Sequence, residues 1–168
     1  MSKSIKYITQ GAMIAALYVV LTMVANVFGL ANAAIQIRIS EALTILPYFT
    51  PVAIPGLFAG CLLSNIFTGC LPLDTIFGSI ATLIGAVGTY VISNRLKHNK
   101  LSQFLAPVPP IVANVLIIPF VLAYVYHFEG SIPYFMLTVG AGELVSCGFL
   151  GLVLLYGLNP RRDELFIR

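Results

Sequence analysis

Charge is what this sequence lacks most. Charged residues make up 9% of the 168 positions and hydrophobic ones 59%, with a mean hydropathy of +0.98. A soluble domain carries roughly a quarter charged residues, because its surface must stay wet. So few charges cannot cover such a surface, and the chain is expected to be an all-α integral membrane protein with a single domain over residues 1–168.

Catalytic groups are scarce as well. The chain has two histidines, His98 and His127, and no tryptophan. Cys61, Cys70 and Cys147 show neither CxxC nor metal-site spacing, which leaves buried small hydrophobe as their default role. No HExxH, GxSxG or paired acidic motif appears, so neither an enzyme nor a metal centre is expected. Without a P-loop the chain cannot by itself drive transport with ATP, and no cofactor is expected on it. It shows no internal repeat of the kind secondary transporters carry, and it is compact for a transporter that works alone. The N-terminal apolar run is too long for a cleavable signal peptide.

The charges that do occur set a topology. Apolar runs at about 8–29, 52–69, 75–94, 107–127 and 133–157 each approach the roughly 20 residues needed to cross a bilayer. Lys3 and Lys6 precede the first run, Arg95, Lys97 and Lys100 follow the third, and Arg161, Arg162 and Arg168 follow the last. The connections near 30–34, 70–74 and 128–132 hold no lysine or arginine. Basic loops stay on the cytoplasmic side, so the net charge of +3 reports orientation rather than a nucleic-acid partner. An even number of crossings must separate Lys6 from Arg95, so the short segment "EALTILPYFT" at 41–50 is counted as a crossing. The expected fold is a compact bundle of six transmembrane helices with a short, proline-broken second helix, and both termini cytoplasmic. A re-entrant hairpin at 41–69 with four full spans is the alternative.

Pro47, Pro51 and Pro55 break the second segment. A segment too short to span must be shielded by protein or line a water-filled cavity, and broken helices of this kind build polar sites in membrane proteins. The other reading is a tight corner.

Polar residues within the apolar runs are the candidate site. Glu143 lies ten residues beyond Pro133, about 15 Å down the last helix, where a lone carboxylate must be paired or reach water. It contacts a ligand or clasps Asn114 or Asn65. Arg38 and Glu41 form either a helix-start pair capped by Ser40 or the mouth of the broken segment. Asp74 caps a helix beginning at Thr75, with room to face a ligand as well. Asn65 shares a face with Cys61, Thr68 and Gly69, either a small polar lining or an interhelical amide clasp. Asn114, between "PVPP" and Pro119, satisfies carbonyls freed by a kink. On the first helix, Gly11 and Ala15, and Ala12 and Ala16, are spaced small-xxx-small, a face for a partner or for the chain's own helices.

The stretch "IRISEALTILPYFTPVAIPGLFAGCLLSNIFTG", followed by "LDTIFGSIATLIGA", resembles the queuosine-precursor transporter family, QueT. With six helices in under 180 residues, the chain resembles the substrate-binding (S) component of an energy-coupling factor (ECF) transporter. The resemblance implies a subunit in the plasma membrane that captures a 7-deazaguanine from outside. A membrane coupling protein and two ATPases would then drive uptake. It implies that Ala12 and Ala16, with Gly11 and Ala15, face the coupling protein. It also directs attention to Glu143 and then Glu41 for the guanine N1–H and N2 edge. A ligand aminomethyl cation would take a second acid or an aromatic face, Arg38 or Asn65 would donate to O6, and Phe49, Tyr48, Tyr134 and Phe135 would stack. Asp74 is the third acid within reach. A subunit for another vitamin or nucleobase, a membrane enzyme and a structural subunit stay open.

Overall fold

A computed structural model describes residues 3–29, 37–96 and 99–166, and the side chains from Ser4. The connection near 30–34, Lys97, His98, Arg168 and the Lys3 side chain lie outside what is described. Every regular element among the described residues is helical. α1 (Lys3–Val27) is followed by a short 3-10 helix (Ile39–Tyr48), α2 (Ala53–Phe67), α3 (Pro72–Arg95), α4 (Lys100–Leu105) and α5 (Val108–Tyr124). Then come α6 (Ile132–Glu143), a π-helical turn (Leu144–Leu150), α7 (Gly151–Leu158) and α8 (Arg162–Leu165). Four stretches are long and apolar enough to cross a bilayer: Ser4–Val27, Pro72–Arg95, Lys100–Tyr124 and Ile132–Leu165. Ala53–Phe67 is a shorter apolar helix. With the 3-10 helix these make the expected bundle of six.

The second helix is short for a physical reason. Proline at position 47 has no N–H to donate and restricts the residue before it. The segment winds as ten residues of 3-10 helix, about 20 Å at roughly 2 Å per residue. Every residue from Ser40 to Tyr48 is buried. α1, α2, α3, the π turn and α7 surround it, so its irregular backbone never faces lipid. Side chains anchor its C-terminal end: Ser93 Oγ donates to the Tyr48 carbonyl at 2.7 Å, and the Tyr48 and Ser102 hydroxyls lie 3.0 Å apart.

α1 carries a buried stripe at Ile14, Tyr18, Thr22 and Ala25, while Ile8, Val20 and Val24 point outward as lipid-facing surface. The stripe packs on α2 at very close range. A Cβ at Gly56 would sit 2.7 Å from the Gly11 carbonyl oxygen, and one at Gly60 would sit 3.0 Å from that of Ala15. Contacts advancing together along both helices mean that α1 and α2 run parallel, which requires the 3-10 helix to return between them. Gly11 and Ala15 are therefore a seam inside the bundle, contrary to their assignment to a partner face. Ala12 and Ala16 are exposed, and this half of the assignment stays available. At the far end of the chain, Gln10 Nε2 donates to the Leu165 carbonyl at 3.1 Å, so the two terminal regions lie at the same end of the bundle.

Candidate functional site

Six of the polar residues singled out in the sequence, Arg38, Glu41, Asn65, Asp74, Asn114 and Glu143, gather in the interior. Glu41 is fully buried, and Glu143 is 5% exposed. Tyr18 donates its hydroxyl to Glu41 Oε1, and Thr82 donates to the same oxygen at 3.1 Å. Glu41 Oε2 is buried with no hydrogen-bond partner. From the far side Cys147 Sγ donates to Glu143 Oε2 at 2.9 Å and approaches the Glu41 carbonyl at 3.4 Å. Glu41, Glu143 and Cys147 bring their ligating atoms within 4.8 Å of one another. At that spacing a small cation, whether an ammonium or a metal ion, can satisfy both carboxylates.

A second group lies beside the first. The position that a Cβ would take on Gly78 is 3.2 Å from Asn65 Nδ2, 3.8 Å from Asp74 Oδ1 and 3.9 Å from Arg38 Nη1. A glycine at 78 is what lets a cation, an amide and a carboxylate meet there. Asp74 also accepts from Tyr126 at 2.8 Å, which ties the end of α5 to the start of α3. Burial and the bond to Asp74 push the Tyr126 hydroxyl above the ordinary tyrosine range, so it remains a donor at neutral pH. The two groups are joined through Cys61, which accepts from Asn65 Nδ2 at 3.7 Å and from Thr82 at 3.4 Å.

A narrow cavity separates Arg38 at the start of the 3-10 helix, Asn114 and Ile118 on α5, and Val139 and Glu143 on α6. Its volume of about 10 Å³ is room for one water molecule. The Asn114 amide interacts with the Glu143 carboxylate, but its Nδ2 closes no hydrogen bond of ordinary geometry.

The aromatic assignments fare differently. Phe49 stacks on Phe166 with ring centroids 5.0 Å apart, at the end of the bundle that holds the termini, and Tyr48 packs edge-on against Phe49. Neither is near the carboxylates, because the 3-10 helix carries them about 20 Å from Arg38 along its axis. Tyr134 is half-exposed at the start of α6 and packs against Phe135, which itself fills an apolar cluster with Ile118, Leu122 and Val139. The capping roles also differ. α3 begins at Pro72, which places Asp74 inside its first turn rather than at its cap. Ser40 accepts a hydrogen bond from Thr22 at 2.8 Å rather than capping the short helix.

Sequence reasoning missed Tyr18, Gly78, Thr82 and Tyr126. Two signals pointed to the first three, and none to Tyr126. Tyr18 continues the Gly11, Ile14, Ala15 face of α1 at helical spacing. Asp74, Gly78, Thr82, Gly85 and Thr89 form a small and polar stripe along one side of α3, and all five are buried.

The comparisons accord with this architecture. A profile of the QueT transporter family matches residues 8–160. The queuosine precursor transporter QueT of Lactococcus lactis subsp. cremoris (strain MG1363) is 30% identical, in an alignment covering 97% of this chain and 98% of that protein. No solved structure matches significantly. The family and the relative are transporters rather than enzymes, and with nearly its whole length matched this chain belongs to the QueT transporter family.

Proposed function

We propose that the chain is the substrate-binding subunit of an ECF-type importer and captures a queuosine precursor of the 7-deazaguanine class at the plasma membrane. The observation that carries this reading is the buried carboxylate pair Glu41 and Glu143, with Glu41 Oε2 unpartnered and Arg38, Asn65 and Asn114 alongside. Intramembrane charges of this kind are costly and mark ligand or ion pathways. A deazaguanine supplies what these groups need. Its N1–H and N2 amine are parallel donors for one carboxylate, here Glu143, and its O6 accepts from Arg38 or an amide. A 7-aminomethyl group adds an ammonium on the other side of the base, which the free oxygen of Glu41 would accept.

The cavity admits one water, whereas ligand pockets span roughly 300–1,000 Å³. A deazaguanine therefore enters only when the 3-10 helix, α5 and α6 move apart. In this reading the side opposite the termini is external and both termini are cytoplasmic, as the basic residues suggest. With no P-loop in the sequence, ATP hydrolysis falls to two partner ATPases joined through a membrane coupling protein. The exposed Ala12 and Ala16 offer that protein a small-residue face.

Two measurements test the reading. Purified protein titrated with 7-aminomethyl-7-deazaguanine, queuine, guanine and thiamine should show saturable binding to the deazaguanines alone. Affinity purification from native membranes should recover two ATPases and a coupling protein. Binding of thiamine in preference to the deazaguanines would overturn the ligand class, and recovery of the chain without an ATPase would overturn the importer type.

A further inference from the structure

A second and larger cavity lies away from the carboxylates. A crevice of about 460 Å³ opens sideways between α1, the 3-10 helix, α7 and the C-terminal residues. Its walls are apolar: Met13, Ile14 and Leu17 on α1 face Leu43, Leu46, Leu154 and Leu158. Polar groups gather at one end, where Lys6, Thr9 and Gln10 lie beside Leu165 and Phe166. The Thr9 hydroxyl is engaged with the Ile5 carbonyl at 2.8 Å. Gln10 Nε2 is likewise engaged, but Gln10 Oε1 is buried with no partner. Lys6 is an exposed cation at the mouth.

We infer that this crevice is a binding site for one anionic glycerophospholipid, with phosphatidylglycerol the headgroup of best fit. From Lys6 to Leu17 the crevice runs along eleven residues of α1, about 16 Å at roughly 1.5 Å per residue. That is about half of a hydrocarbon core roughly 30 Å thick, the depth of one leaflet. An acyl chain therefore fits the apolar part with its headgroup level with Lys6. The phosphate meets the Lys6 ammonium, and a glycerol hydroxyl donates to Gln10 Oε1, the atom that otherwise has no partner, once the amide turns toward the crevice. A lysine at a membrane surface favours an anionic lipid by about five-fold. The site is separate from the carboxylates and does not depend on the ligand proposed above.

Native mass spectrometry of the full chain, delipidated and then offered equal amounts of phosphatidylglycerol, phosphatidylethanolamine and phosphatidylcholine, tests this. The expected result is one retained phosphatidylglycerol, favoured about five-fold over either of the others. Lys6→Glu, an exposed position whose change does not threaten folding, removes that preference. Met13→Trp fills the crevice and removes retention of any lipid. Equal retention of the three headgroups, unchanged preference in Lys6→Glu, or undiminished retention in folded Met13→Trp each overturns the proposal.

Discussion

The Tyr18 hydroxyl of α1 hydrogen-bonds to Glu41 of the 3-10 helix, two fully buried residues 23 positions apart in the chain. Together with Thr82 it occupies one carboxylate oxygen and leaves the other free. A carboxylate held in this way is oriented before any ligand arrives. Tyr18→Phe removes one donor and leaves the lone pair of a buried charge without compensation. The expected cost is about 1–3 kcal/mol in stability, read as a lower melting temperature in detergent. A melting temperature equal to that of the parent would mean that Tyr18 is not needed to hold Glu41.

The α1–α2 seam yields a paired test on glycines. In Gly60→Ala the new Cβ falls 2.8 Å from Tyr18 Cβ and 3.0 Å from the Ala15 carbonyl oxygen, where backbone must move. Overpacking of this kind costs about 1–3 kcal/mol. Gly157→Ala is the control, because a Cβ there meets nothing within 4 Å and lies in the α7 helix. It should stabilise by about 0.5–1 kcal/mol. Thermal melts of the two variants should shift in opposite directions.

How much of this was legible in advance depended on what kind of residue was asked. Charge in an apolar run is rare enough to be informative, so Glu41, Asp74 and Glu143 could be singled out and do converge. The short second helix followed from counting crossings against basic residues and from proline chemistry. Aromatic rings carry no such signal, since Phe49 and Tyr134 suit a core, a lipid face or a pocket equally well, and the structure puts them at a terminal-end stack and a half-exposed helix start. Small-xxx-small spacing gave the contact type but not the partner. Gly11 and Ala15 meet α2, while their neighbours Ala12 and Ala16 point outward. The stripe on α3 marks Gly78 as buried, but not its role, which depends on Arg38 and Asn65 from other elements.

Gly78→Ala tests whether that convergence matters. The added methyl lies 3.2 Å from Asn65 Nδ2, so the amide must shift by a few tenths of an ångström, while Asp74 and Arg38 stay in ordinary contact. The expected outcome is a small change in melting temperature, under about 1.5 kcal/mol, with ligand affinity reduced roughly ten-fold if Asn65 lines the pocket. Unchanged affinity would place Asn65 outside the ligand's reach.

Ala12→Leu with Ala16→Leu probes the outward half of the α1 stripe. Both side chains face away from the bundle, so the folded chain accommodates the added bulk, and ligand affinity should be unaffected. Close helix approach depends on small residues, so if a coupling protein docks on this face as proposed, its association should be lost. Co-purification measures that loss, and retention of the partner subunits by the double variant would move the docking surface elsewhere.

The two carboxylates can be separated by the ligand that each serves. If Glu143 reads the guanine edge, Glu143→Gln removes a charged acceptor from every deazaguanine alike, at about 1.5–3 kcal/mol or roughly ten- to a hundred-fold in dissociation constant. If the free oxygen of Glu41 receives the ammonium, Glu41→Gln weakens 7-aminomethyl-7-deazaguanine by a similar factor. The same change should leave 7-cyano-7-deazaguanine, which has no cation, nearly untouched. The Cys147 thiol lies within 4.8 Å of both acids, so the three could also hold a metal ion. A metal-dependent site would lose affinity for both ligands on treatment with a chelator, whereas an ammonium seat would not. Calorimetric titration of the two ligands against the two variants gives four dissociation constants. Equal losses for both ligands in Glu41→Gln would remove the ammonium from Glu41 and return that residue to a purely structural part.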